Sequence, residues 1–245
     1  MTPLELYRSG ELRAAIKALG DELRANPLDI KRRTFLFELL CFAGEYDRAE
    51  KQLNVLADTN NQALAGTLLY RSALHAEKTR QEMFQKRDLP KVDSAAGPVS
   101  GTWNGESFSD LRDADQRIGA NLEVFIAGSY TWIPFHYMRR LEIEKPENLR
   151  DLIWARARVE TSPAFRLQDL GEVLIPVLAP LSSQHPDESV QLGRTTTWQD
   201  AAPEDTVDEL PFGQRMLLVD GEEIPILEFR SIQWNAAEES QHAPA

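Results

Sequence analysis

Two copies of one short pattern lie 34 residues apart near the start of this chain. Gly10-Glu11-Leu12-Arg13-Ala14-Ala15-Ile16-Lys17-Ala18-Leu19 aligns with Gly44-Glu45-Tyr46-Asp47-Arg48-Ala49-Glu50-Lys51-Gln52-Leu53. That spacing is the period of the tetratricopeptide (TPR) helix–turn–helix repeat. It places each glycine in the turn between two helices, Ala15 or Ala49 where the helices come close, and Leu19 or Leu53 in the core. Such repeats build concave surfaces that hold other proteins and seldom carry out chemistry. The first expectation is therefore a binding module.

Residues 3–88 read as almost entirely helical. Apolar residues recur at three- and four-residue spacing: Leu12, Ile16, Leu19 and Leu23, then Leu36, Phe37, Leu39 and Leu40, then Leu53 and Leu56. Asn26-Pro27 closes one helix, and Asp29 supplies an N-cap for the next. A further helix spans about Gln62 to Arg87. A segment rich in Pro, Gly and small polar residues follows, and the pattern then turns strand-like. Asp110–Gly119 reads as a short helix. Strands are expected over Leu122–Ile126, Tyr130–Pro134, Leu152–Val159, Val173–Leu178 and Val190–Trp198. A hairpin joins Arg215–Val219 to Ile224–Trp234 through Asp220-Gly221. Trp103, Trp132, Trp154, Trp198 and Trp234 all fall in this half. The expected class is α+β: a TPR-like helical domain over 1–89, a linker over 90–101, a domain with a mixed, strongly curved, Trp-rich sheet or barrel over 102–235, and a flexible tail over 236–245.

Charge divides the same way. Residues 1–90 carry 14 basic and 13 acidic side chains, and the remainder carries 13 and 26. The net charge of −12 argues against nonspecific binding to nucleic acid or an anionic membrane. No apolar run approaches a membrane span, the first residues lack a signal-peptide pattern, and the one cysteine, Cys41, suits a reducing compartment. A cytoplasmic protein is expected.

Residues capable of chemistry are scattered. His75, His136, His185 and His242 lack metal-ligand spacing. Asp110, Asp113 and Asp115 cluster in Ser109-Asp110-Leu111-Arg112-Asp113-Ala114-Asp115, as divalent-cation ligands do, but the glycine and final glutamate of a calcium loop are missing. A helix N-cap with acidic residues in its first turn accounts for the cluster more simply. Leu111-Arg112-Asp113 recurs as Leu149-Arg150-Asp151, and each arginine is expected to pair a buried carboxylate and tie sheet to helix. A phosphate loop, nucleophile elbow or cysteine pair is absent from the sequence. No metal or cofactor is expected. A hydrolase or metal-dependent enzyme using Asp110, Asp113, Asp115 and His136 stands as the alternative.

In the repeat register, Lys31, Thr34, Phe35, Glu38 and Phe42 turn toward the concave side, and Ala65, Leu68, Leu69 and Ser72 join them from the next helix. An apolar floor with polar edges suits an amphipathic helix laid in a groove.

Several segments together resemble the ImpE family, also called TagJ, an accessory component of bacterial type VI secretion. They are Arg33–Gly44 with Asp47-Arg48-Ala49 and Gln52-Leu53, then Asp110–Asp115 running to Leu122-Glu123-Val124, then Gly128-Ser129-Tyr130-Thr131-Trp132-Ile133-Pro134-Phe135. Leu149-Arg150-Asp151-Leu152-Ile153-Trp154, Arg194-Thr195-Thr196-Thr197-Trp198 and Gly213-Gln214-Arg215 complete the set. One departure is Leu174-Ile175-Pro176-Val177-Leu178, where a Pro-Arg-Tyr-like segment is expected of the family. The resemblance implies a helical repeat domain joined to a mixed sheet domain and no catalytic activity. It implies a partner, the small subunit of the contractile sheath, held through a helix near that subunit's N-terminus. A link to the AAA+ ATPase that disassembles sheaths would be indirect. No catalytic or ligand residues follow from the resemblance, so the groove positions rest on the repeat register alone.

Overall fold

The computed structural model describes residues 1–59, 61–91, 97–165 and 170–235. Part of the expected linker and the whole of the expected tail lie outside the described residues, as does the side chain of Ala65. Helices come first: α1 (Pro3–Ser9), α2 (Leu12–Ala25), α3 (Ile30–Phe42), α4 (Tyr46–Thr59) and α5 (Asn61–Lys86), each packed on the next. Both glycines of the repeat sit in interhelical turns at positive φ, Gly10 at 90° and Gly44 at 69°, where a side chain would be strained. Ala15 and Ala49 are both fully buried, and Leu19 and Leu53 are core residues. Asp29 caps α3 by accepting the Arg32 amide at 3.0 Å.

The second half is built on an eight-stranded sheet. Its order is β2 (Glu106–Phe108), β1 (Gly101–Trp103), β13 (Ser231–Trp234), β6 (Met138–Ile143), β7 (Trp154–Thr161), β8 (Glu172–Pro176), β4 (Asn121–Ile126) and β5 (Ser129–Pro134), with every neighbouring pair antiparallel. A smaller sheet holds β12 (Glu222–Pro225), β11 (Met216–Val219) and β3 (Leu111–Asp113), and β9 (Thr197–Asp200) pairs with β10 (Glu209–Phe212). The expected α+β class holds, but the large sheet does not close into a barrel: β2 and β5 are its two ends. Helix α5 packs on β5 and covers that end, which shields an edge strand without closure.

Three local expectations are corrected. Asp110–Gly119 contains the strand β3 and turns, not a helix. Of Val190–Trp198, only the end is strand. It is preceded by one short helix, α6 (Glu188–Gln191), which Asp187 caps. The hairpin at Asp220-Gly221 forms, with Val219 opposite Glu222. Its second arm ends at Pro225, and β13 crosses to the large sheet.

The two faces of the large sheet have different neighbours. Leu122, Val124, Ile133, Leu141, Val159 and Ile175 point into a core shared with the small sheet. On the other face Phe125, Trp154 and Leu174 join the helical core of Leu19, Phe37, Leu40 and Leu74. Trp154 is the centre of that joint. Its ring lies 6.4 Å from both Phe37 and Tyr70, nearly parallel to the latter. A segment after β8 fastens the layers again. Glu188 accepts the Arg13 amide at the start of α2. Arg194 donates to the carbonyls of Tyr7 and Arg8 at the end of α1, at 2.5 and 3.0 Å. Orphan backbone groups of both helix ends are thereby satisfied from far along the chain.

Candidate functional site

Two features stand out where helices meet sheet: a closed charge network and an open cleft. The network starts at Arg80 on α5, which is 1% exposed. Its Nε and Nη2 donate to the two carboxylate oxygens of Glu123 on β4, at 2.7 and 3.0 Å. Nη1 donates to Glu77 at 3.1 Å, and Nη2 also reaches the Leu178 carbonyl at 3.1 Å. Arg215 enters from the other side, with Nη1 3.3 Å from Glu123 and 3.0 Å from the Pro176 carbonyl. Its Nε and Nη2 donate to Asp113 at 3.2 and 2.5 Å. Tyr130 donates to Glu123 at 2.5 Å, and the Trp132 indole N–H donates to the Tyr130 hydroxyl. The Trp154 indole donates to Glu77 at 2.9 Å.

Such a network is tolerable in a low-dielectric interior only because its charges are paired and hydrogen-bonded. Burial pushes the Glu123 carboxyl up, but the Arg80 and Arg215 guanidiniums outweigh it and hold the group below its ordinary value. Asp113 goes the other way, to about 6, because burial outweighs Arg215 and neighbouring carboxylates add to the rise. Glu123, Asp113, Tyr130, Trp132, Trp154 and Arg215 all come from the segments that carry the family resemblance. Their shared work is to fasten α5 and the 176–178 segment to the sheet.

The acidic cluster does not converge on a metal site. Asp113 is held by Arg215, Asp115 pairs Arg117 at 2.6 Å, and Asp110 pairs the exposed Arg112 at 2.9 Å. Among the described residues no group of three His, Cys, Asp or Glu side chains is placed to hold a metal ion. His136 lies against the neighbouring Tyr137 ring, tilted by 46°. Of the two repeated arginines, Arg150 faces a buried carboxylate, Glu38 at 3.9 Å, whereas Arg112 points to solvent. Cys41 is buried, and burial pushes its thiol well above the ordinary value, as for a packed thiol rather than a nucleophile.

The cleft, of about 250 Å³, opens between α5 and the sheet and is lined by Leu69, Ser72, Phe125, Gly128, Arg156 and Leu174 among others. Of the groove residues expected from the repeat register, Leu69 and Ser72 line it, and Leu68, 53% exposed, precedes them on α5. The others lie elsewhere. Phe42 is fully buried and Glu38 nearly so, with Arg150 of the 149–152 turn over Glu38 and with Ile153, Leu178 and Ala179 beside Phe42. Phe35 packs edge-on against Tyr7 of α1, Thr34 donates to the Ile30 carbonyl at 3.0 Å, and Lys31 is exposed. The sequence reading missed the sheet's share of the cleft, since Phe125, Arg156 and Leu174 follow no helical period. The Tyr130–Glu123–Arg80 cluster was equally hidden, since Arg80 lies 43 positions before Glu123.

Residues 105–233 match the family model described as ImpE protein. The chain is 30% identical, over 94% of its length and 90% of the relative's, to the type VI secretion system accessory component TagJ of Pseudomonas aeruginosa. A crystal structure of protein VPA1032 from Vibrio parahaemolyticus superposes with a TM-score of 0.83 at 22% identity, covering 96% of this chain and 98% of that one. The last likeness shows a common fold. The family match over the sheet half and the likeness to TagJ along nearly the whole length establish that this chain belongs to the ImpE family.

Proposed function

We propose that this chain is a non-enzymatic accessory component of a type VI secretion system, an adaptor that holds an amphipathic N-terminal helix of the contractile sheath's small subunit. Through that contact it modulates sheath assembly or recycling, its link to the AAA+ sheath-disassembly ATPase being indirect. The observation that carries this reading is the 30% identity to TagJ along 94% of the chain. The structure supports an adaptor in two ways. The acidic side chains that suggested an enzyme are engaged with arginines of the same chain. The cleft beside Leu69 has apolar walls from Phe125 and Leu174 and a charged rim from Arg156 and Glu172, a surface suited to an amphipathic helix. We place the contact at Leu68, Leu69 and Ser72, beside the cleft. No membrane contact enters the proposal, and among the described residues no helix is long and apolar enough to cross one.

A labelled N-terminal helix of the cognate sheath small subunit, titrated with the protein, tests this. Binding is expected with Kd on the order of 10 µM or tighter, and Leu69→Glu should abolish it while leaving the fold intact, since Leu69 is 43% exposed. Binding that survives Leu69→Glu moves the site away from the cleft. No binding at ~100 µM refutes the partner.

A further inference from the structure

Arg150 stands between two partners and is fully engaged by neither. Its Nη1 lies 3.9 Å from Glu38 of α3, beyond hydrogen-bond length. Its guanidinium carbon lies 5.0 Å from the centre of the Tyr70 ring on α5, within cation–π range. Its Nε is buried without a hydrogen-bond partner, a state that costs free energy. Glu38 is itself only 7% exposed, and its carboxylate accepts no hydrogen bond from the described residues.

The charged surroundings leave this carboxyl poised. Burial raises it, Arg150 lowers it and Asp151 raises it again, to about 7. Along α3 the nearest titratable group is the Cys41 thiol, which also feels Glu77 of α5. From β7, Arg156 is held in its charged form chiefly by the neighbouring Tyr70 side chain. Arg150 is therefore the one cation this set directs at Glu38, and it belongs to the 149–152 turn.

We propose that Arg150 is a two-position switch operated by the proton on Glu38, reaching the carboxylate when it is ionised and resting on the Tyr70 ring when it is neutral. The turn that carries Arg150 also carries Asp151, whose Oδ2 accepts the amides of Glu147 and Asn148 at 3.0 and 2.8 Å. Those residues, with Lys145 and Arg156, line a second, polar cleft of about 280 Å³. Proton uptake inside the helical layer thus resets the wall of a surface cleft. This inference does not depend on the sheath partner.

Nuclear magnetic resonance of the full chain, titrated from about pH 5.5 to 8.5 so as to bracket the Glu38 transition, tests it. The Arg150 and Ile153 amides and the Tyr70 ring should titrate together with a midpoint near that of the Glu38 carboxyl. Glu38→Gln should hold all three signals constant. Arg150→Gln should move the Glu38 carboxyl midpoint upward, because it removes the cation. Signals that stay flat in the native protein, or titrate unchanged in Glu38→Gln, overturn the switch. So does a Glu38 midpoint indifferent to Arg150→Gln.

Discussion

Glu123 and Glu38 are both buried glutamates at the seam between helices and sheet, yet they behave in opposite ways. Glu123 receives two guanidiniums and a phenol, and its carboxyl is held down. Glu38 has one distant arginine, and its carboxyl rises to about 7. Depth of burial does not separate them. The number and distance of donors does, which is the difference between a charge fixed in place and a charge poised to leave. One end of the seam is a lock and the other is a joint.

The strongest way to break this contrast is at the lock. Glu123→Ala leaves Arg80 and Arg215 without their shared carboxylate and should cost ~3–5 kcal/mol, read as a lowered urea midpoint. A loss comparable to that of an ordinary surface substitution would mean that the network is dispensable.

The joint should respond in the opposite sense, and with pH. Glu38 ionises at about 7 in the fold against an ordinary 4.5, and Asp113, on the far side of Arg215 in the lock, at about 6 against 3.8. Across those windows the folded protein binds more protons than the unfolded chain, so stability falls as pH rises. Glu38→Gln keeps a neutral side chain at every pH. It should raise stability at pH 8 by on the order of 2 kcal/mol and leave it nearly unchanged near pH 5. A destabilised variant at pH 8 would show that Glu38 is held as firmly as Glu123. Glu82→Gln, which breaks the exposed pair with Lys86, gives the smallest effect. Its melting temperature should match the native protein's, because exposed pairs contribute little.

The helical layer was largely legible from the sequence because its information is local. Periodicity, the Asp29 cap and the paired glycines each act within a few residues. The sheet was harder for identifiable reasons. Met138–Ile143 alternates poorly because a register irregularity interrupts its pairing between Met138 and Arg140, and the strand was missed. The three aspartates after Ser109 look like a helix start, since local rules see only their neighbours. The residue that settles Asp113 is Arg215, 102 positions away. The tryptophans suggested closure into a barrel, yet Trp132 and Trp154 are buried against helix α5 instead. The groove suffered likewise: the repeat register turns Glu38 and Phe42 toward an open side, whereas both are buried, beside segments more than a hundred residues further along.

The clasp at Arg194 has a consequence for how the chain is made. Its hydrogen bond to the Tyr7 carbonyl spans 187 residues. During synthesis the N-terminal helices emerge first, with Phe37 and Tyr70 uncovered and the end of α1 unclasped. Helix α5 leaves with Arg80 already beside Glu77 one turn away, so part of its charge is neutralised in advance. The rest waits for β4, β7 and the 188–194 segment. Sealing the two layers is thus a late event tied to near-completion of the chain, and nascent chains halted before residue 188 should remain open to proteases that spare the finished protein.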